Sequence, residues 1–162
     1  MNRPAYTIRT AKPADRPGVV ELIHLLNCYE APLTRDRRIE RSAAEEYYRA
    51  LMGRIANQQG RLILAEADRT LIATLALVVQ DDHLFVRDDV RRHGLVTDLF
   101  VREEWRGRGV GSAMLAEAER LTRAAGLSRL SITVVEGNGN AERLYRTFGF
   151  GSYSQSLVKD LE

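Results

Sequence analysis

Residues 94–126, GLVTDLFVREEWRGRGVGSAMLAEAERLTRAAG, constrain the fold more than any other part of the chain. The hydrophobic period changes within them. Leu95, Val96, Leu99, Phe100 and Val101 form an apolar run of the kind found in strands buried on both faces. From Val110 onward Val110, Met114, Ala118, Leu121 and Ala125 recur at helical spacing, with Glu117, Glu119, Arg120 and Arg123 between them. Gly126 follows where a left-handed C-cap is expected. A strand must therefore give way to an amphipathic helix within the few residues Arg106-Gly107-Arg108-Gly109-Val110-Gly111.

That loop has chemical consequences. Glycines at alternate positions leave the main chain bare, so a ligand can approach it closely. The first amides of a helix have no intrahelical partner and sit at the positive end of its dipole. Together these features bind phosphate groups through backbone N–H donors, with Arg106 and Arg108 adding charge. The dinucleotide fingerprint G-x-G-x-x-G fails, because the residue three after Gly109 is Ser112. A P-loop is excluded because no Gly-Lys pair occurs in the chain. On the loop alone, a plain glycine turn joining strand to helix stays open beside the ligand site.

Arg106-x-x-Gly109-x-Gly111 after a strand ending Leu99-Phe100-Val101 resembles the acyl-CoA loop of the GNAT N-acetyltransferases, in which R/Q-x-x-G-x-G/A cradles the coenzyme A diphosphate. A second block agrees: Asn138-x-x-Ala141-x-x-x-Tyr145-x-x-x-Gly149-Phe150 is similar to the family's N-x-x-A-x-x-x-Y-x-x-x-G-F.

The rest of the chain bounds the answer. A length of 162 residues suits one domain with a sizeable core. No apolar run is long enough to span a bilayer, and no apolar h-region follows Met1-Asn2-Arg3-Pro4, so neither membrane insertion nor secretion is expected. The one cysteine, Cys28, has no partner for a disulfide and fits a reducing cytoplasm. Four residues after His24 it could be a reactive thiol, but a small helix residue in the core is the commoner case. No Cys/His cluster has metal spacing, so no metal is expected. The net charge of +2, with arginines spread along the chain, speaks against nucleic-acid binding.

Taken in order, Tyr6 and Ile8 mark a first strand, Pro13 and Pro17 suit the start of a helix, and Val19, Val20, Leu22, Ile23 and Leu26 mark that helix. Residues 27–42, with Pro32, read as a loop before a second helix over Ala43–Ala56. Leu62–Ala67 and Thr70–Val79 read as a hairpin around Asp68-Arg69, and Gln80–His93 as a loop. After the central stretch, Leu130–Val135 reads as a strand in right-handed parallel crossover, Ala141–Phe148 as a helix and Tyr153–Val158 as a last strand. This order resembles the GNAT family over nearly the whole chain. The resemblance implies an α+β fold in α/β/α layers: a single N-acetyltransferase domain over residues 6–162, with a mixed six- to seven-stranded sheet, a splayed central parallel strand pair and helices on both faces.

The resemblance also implies roles. Acetyl-CoA is the cosubstrate, its pantetheine arm lying along Leu99, Phe100 and Val101 and its diphosphate on the amides of Arg106, Gly107, Arg108, Gly109, Val110, Gly111 and Ser112. A main-chain N–H near Val101 polarises the thioester. Tyr145 matches the family's general acid, while its place in the stripe Ala141, Leu144, Tyr145, Phe148 equally fits a core residue. Asn138 is a contact for the coenzyme A arm, a helix N-cap, or both, and Ala141 belongs to the same block. Asp98 is the first candidate for general base, or else a structural acceptor; Glu30, His24, His93 and Glu136 are alternatives. Asp98 to Val101 resembles the small-amine branch, which often carries a second acidic residue where this chain has Thr97; that departure speaks against a polyamine acceptor. Segments 24–50 and 80–93 are expected to flank the acceptor. The expected activity is acetyl transfer to a primary amine of a small molecule by direct attack in a ternary complex, with a protein or peptide acetyltransferase and a non-catalytic acyl-CoA sensor as the other readings. A homodimer is common in the family.

Overall fold

The computed structural model describes residues 5–161. Its elements are β1 (Thr7–Thr10), α1 (Arg16–Thr34), α2 (Arg41–Asn57), β2 (Arg61–Ala67), β3 (Thr70–Asp81), α3 (Asp88–Arg91), β4 (Arg92–Val101), α4 (Val110–Ala124), β5 (Leu130–Ile132) and α5 (Gly139–Phe148), with 3-10 turns at Pro13–Asp15 and Glu103–Trp105. The sheet runs β1-β2-β3-β4-β5, antiparallel except for the last pair, which is parallel.

The apolar runs are uninterrupted because both sheet faces are covered. On β2, Leu62 and Leu64 pack with Val19, Val20, Ile23 and Leu51 under α1 and α2. Ile63 and Ala65 pack on the other side with Val110, Met114, Leu115 and Ala118 of α4 and with Tyr145 of α5. The β2–β3 hairpin turns on Asp68 and Arg69, with φ of 46° and 64°, the paired left-handed conformation of a tight hairpin that matches strand twist.

The structure departs from the sequence reading in three places. First, α1 continues to Thr34 through the segment read as a loop. Pro32 lies in the last turn, where its missing N–H costs a single bond, and the helix ends just after it on Arg35 in the left-handed conformation (φ 60°). Second, the segment read as a loop over 80–93 contains the end of β3, the short α3 and the start of β4. Third, the sheet has five strands rather than six or seven. β5 stops at Ile132, and the segment around Tyr153–Val158 forms no strand; Tyr153, Leu157 and Val158 lie exposed. Alternation of residue type predicts strand there, but pairing needs an edge, and no ladder bonds reach this segment.

Candidate active site

The site begins where β4 loses a neighbour. β5 pairs with β4 only at Gly94, Leu95 and Val96. β4 runs on to Val101 with β3 alone at its side. At the same point the β3–β4 register slips: Leu77 faces Val96 but Ala76 faces Asp98, which leaves Thr97 as an extra, bulged residue. The bulge reverses the phase of the strand. The Gly94 amide donates towards β5, to the Arg129 carbonyl (2.9 Å), whereas the Arg102 amide donates towards β3, to Ile72 (2.9 Å). Both residue numbers are even, so beyond Thr97 the odd residues Leu99 and Val101 direct their N–H and C=O groups into the gap beside β4.

Side chains turn over with the backbone. Val96 packs on the α4 face, and beyond the bulge Leu99 and Val101 do so. Asp98 instead faces α2, where its Oδ2 accepts from the Tyr47 hydroxyl at 2.8 Å and from Thr97 Oγ1 at 2.7 Å. Neighbouring side chains that share one hydrogen bond would point apart on a regular strand; the bulge is what brings them together. Desolvation pushes the Asp98 carboxyl above the usual carboxylate range, against the hydrogen bonds from Thr97 and Tyr47.

Tyr145 reaches the gap from α5. Its ring is buried, 8% exposed, and packs edge-on against Phe150 at 6.1 Å. Its hydroxyl has no side-chain or main-chain partner among the described residues, and since no buried side-chain oxygen or nitrogen among them lacks one, it reaches solvent. Burial first, then the charges of Glu30 and Asp98, push the phenol up to about 12. Tyr145 is thus a core residue whose phenol stays protonated at neutral pH.

The loop joins β4 to α4. Gly107 and Gly109 take left-handed φ of 71° and 80°, and a Cβ at either would meet open space. Gly109 caps α4, and no side chain closes the cap, so the first amides stay available, with Ser112 exposed beside them and Val110 contributing only its main chain since its side chain is buried. Gly111 has another reason to be glycine: a Cβ there would stand 2.8 Å from Leu144 Cδ2, so it lets α4 and α5 close. Arg106 does not project freely. Its Nε donates to the Val101 carbonyl (3.0 Å), and its guanidinium lies 4.7 Å from the Tyr29 ring and 5.5 Å from the Phe100 ring. Arg108 lies over Trp105 at 5.3 Å. Asn138 caps α5, its Oδ1 accepting from the Ala141 amide at 3.2 Å and from Tyr29 at 3.5 Å.

The remaining base candidates fall away from this centre or are already engaged. His93 is buried near the start of β4, its Nδ1 3.1 Å from the Arg91 carbonyl. Glu136 is exposed after β5. His24 faces Cys28 on α1, at 3.8 Å. Glu30 is tied to Arg37 at 3.0 Å, though close enough to act on Tyr145. Sequence reading missed Tyr47 as a partner of Asp98, because its spacing with Leu51 and Ile55 is that of a core position. Tyr29, in the segment read as loop, was missed as well.

An unpaired strand edge that leads into uncapped amides, flanked by a carboxylate and a phenol, fits a long ligand with an amide-bearing arm and a phosphate end. The chain belongs to the acetyltransferase (GNAT) family, whose model matches residues 22–150. Solved structures agree in fold. The aminoglycoside antibiotic 6'-N-acetyltransferase AAC(6')-IG from Acinetobacter haemolyticus superposes with a TM-score of 0.72 at 16% identity, over 96% of this chain and 98% of that one. A predicted acetyltransferase with acetyl-CoA from Clostridium acetobutylicum gives 0.73 at 18%, over 96% of each chain. A transcriptional regulator from Bacillus halodurans gives 0.72 at 19%, over 96% and 99%. Among curated proteins nothing matches the chain. No helix among the described residues is long and apolar enough to cross a membrane.

Proposed function

We propose that the chain, as one domain over residues 6–162, is an acetyl-CoA-dependent N-acetyltransferase acting on a primary amine of a small molecule by direct attack in a ternary complex. The observation that carries this reading is the gap beside β4, where the amides of Leu99 and Val101 face no neighbouring strand, the Val101 carbonyl takes the Arg106 guanidinium, and the edge leads to the open start of α4. Likeness in fold to an aminoglycoside acetyltransferase supports a small-molecule acceptor. The free, exposed thiol of Cys28 supports a reducing compartment.

Bound acetyl-CoA supplies an activated thioester carbonyl; the protein's part is binding, orientation and proton handling. The main-chain amides of residues 107–112 hold the diphosphate, the Arg106 amide being engaged by the Glu103 carbonyl, and the side-chain NH2 of Asn138 reaches the arm while its Oδ1 caps α5. Leu99 and Val101 bind the arm as an added strand would, and the Val101 N–H polarises the carbonyl. Asp98 accepts a proton from the amine, directly or through water, its raised affinity for protons suiting a base that must discharge an ammonium. Tyr145 donates to the departing sulfur. Because Asp98 is one of the charges that raise the phenol, protonating Asp98 makes Tyr145 a better acid.

The test is a thiol-release screen with acetyl-CoA against aminoglycosides, other small amines, amino acids and peptides. Turnover of a small amine is expected. Turnover of peptides alone would move the reading to a protein acetyltransferase. Calorimetric binding of acetyl-CoA without any acceptor would indicate a sensor, and no binding at all would overturn the assignment.

A further inference from the structure

A carboxylate that serves as base must be held with one oxygen towards the substrate. We propose that Tyr47 is a positioning residue for Asp98: with Thr97 it occupies one carboxylate oxygen from the α2 side and leaves the other as the acceptor of the substrate proton. This rests on the proposed function above.

The geometry is specific. Both donors converge on Oδ2, from the Tyr47 hydroxyl at 2.8 Å and from Thr97 Oγ1 at 2.7 Å. Oδ1 has no partner among the described residues, and as no buried side-chain oxygen among them is without one, Oδ1 reaches solvent. Two donors on one oxygen fix the plane of a carboxylate, since rotation about its last bond would break both. They also draw negative charge to the donor side and oppose, without cancelling, the desolvation that raises the carboxyl. Tyr47 suits this task because, although the residue as a whole is 37% exposed, desolvation of its hydroxyl and the Asp98 charge beside it hold its phenol far above the ordinary range, so it stays a donor throughout the working pH. Thr97 adds the second donor without adding a charge; an acidic residue in its place would repel Asp98.

The other groups that act on Asp98 are few. Arg54, on α2, lowers its proton affinity through its charge. Tyr145 lies across the gap on α5, with Glu30 of α1 acting on the same phenol. From β3 the facing residue is Ala76, which carries no polar side chain. Removing the Tyr47 hydroxyl therefore takes away one of only two side-chain hydrogen bonds that favour ionised Asp98.

The experiment compares wild type, Tyr47→Phe, Tyr48→Phe and Asp98→Asn. The Asp98 carboxyl is titrated by carbon-13 NMR, and kcat/KM is followed from about pH 6 to about pH 9 with the acceptor found in the amine screen. Tyr47→Phe should raise the Asp98 midpoint by about one pH unit, the scale of one lost hydrogen bond to a charged group. The acid limb of kcat/KM should move with it, so that the loss, about tenfold on the acid side, shrinks as pH rises, while KM for acetyl-CoA stays unchanged. Tyr48, whose ring stacks under Arg16 at 5.6 Å, serves as the control and should move neither quantity. A uniform loss at every pH, or an unmoved midpoint, with Asp98→Asn inactive, would overturn the role of Tyr47 and spare Asp98 as base. An Asp98→Asn enzyme as active as wild type would overturn both.

Discussion

Replacing Tyr145 by Phe separates its two roles, because the substitution keeps the ring and removes only the hydroxyl. The ring's contact with Phe150 at 6.1 Å and its place in the α4–α5 core are retained. The hydroxyl has no partner among the described residues to lose, so stability should change by no more than about 0.5 kcal/mol. The catalytic cost follows from acidity. Complete transfer from a phenol raised to about 12 to a thiolate of cysteine-like basicity, about 8.5, is uphill by roughly 5 kcal/mol. In the proposed mechanism the hydroxyl therefore acts chiefly as a hydrogen-bond donor to a developing anion, an interaction of about 1.5–3 kcal/mol. That corresponds to a kcat lower by about 10- to 150-fold. KM for acetyl-CoA should stay within about twofold of wild type, since the interaction forms as the sulfur leaves. Thiol release under saturating substrates measures kcat, and a urea melt measures stability. A wild-type kcat would make Tyr145 a core residue only. A loss well beyond a thousandfold would mean that the bound complex lowers the phenol enough for full proton transfer in the transition state.

Gly109→Ala should cost about 1–2 kcal/mol by urea denaturation and weaken acetyl-CoA binding by calorimetry, because φ of 80° strains any Cβ even though nothing stands near it. Gly111→Ala should cost less than Gly109→Ala in the same melt, since its methyl meets only the movable end of Leu144; the reverse order would refute the division of labour between the two glycines. The hydrogen bonds from Arg9, at 2.7 and 2.8 Å, hold the Asp15 carboxyl down to about 2. A lowered carboxyl stabilises the fold above its unfolded value and loses that contribution as pH falls, so Asp15→Asn should flatten the decline of Tm between about pH 4 and pH 2, and an unchanged slope would count against it. Removing residues 154–162 should leave stability within about 0.5 kcal/mol, because the described part of that segment is exposed throughout; a marked drop in Tm would mean that it does join the sheet.

What was legible in the sequence was what has a fixed local signature. Alternation and turn chemistry located the β2–β3 hairpin, and the change from strand to helix period located β4, the loop and α4. What was not legible depends on partners. Pro32 forbids a helix in its middle and is tolerated in its last turn, and the sequence does not say how far α1 runs before it. Residues 153–158 have the composition of a strand, but a strand exists only with an edge to join. Tyr47 shares the spacing of Leu51 and Ile55, so its hydroxyl function could not be told from burial until Asp98 stood opposite.

The least legible feature, the bulge at Thr97, accounts for the most chemistry. One extra residue in β4 shifts the strand's phase, and three consequences follow from the same displacement. The amides of Leu99 and Val101 turn from β3 towards the gap, where an arm can pair with them. The side chain of Asp98 turns from the α4 face, where Val96 lies, to the α2 face, where Tyr47 waits. Parallel pairing with β5 stops at Val96, the residue before the bulge. The proposed acid and base stand on opposite faces of the sheet, Tyr145 within the α4–α5 core and Asp98 beneath α2. In a closed sheet the strands would keep such groups apart. Here the gap joins the two faces, so a nucleophile deprotonated on one side and a sulfur protonated on the other can belong to a single line of attack through the plane of the sheet.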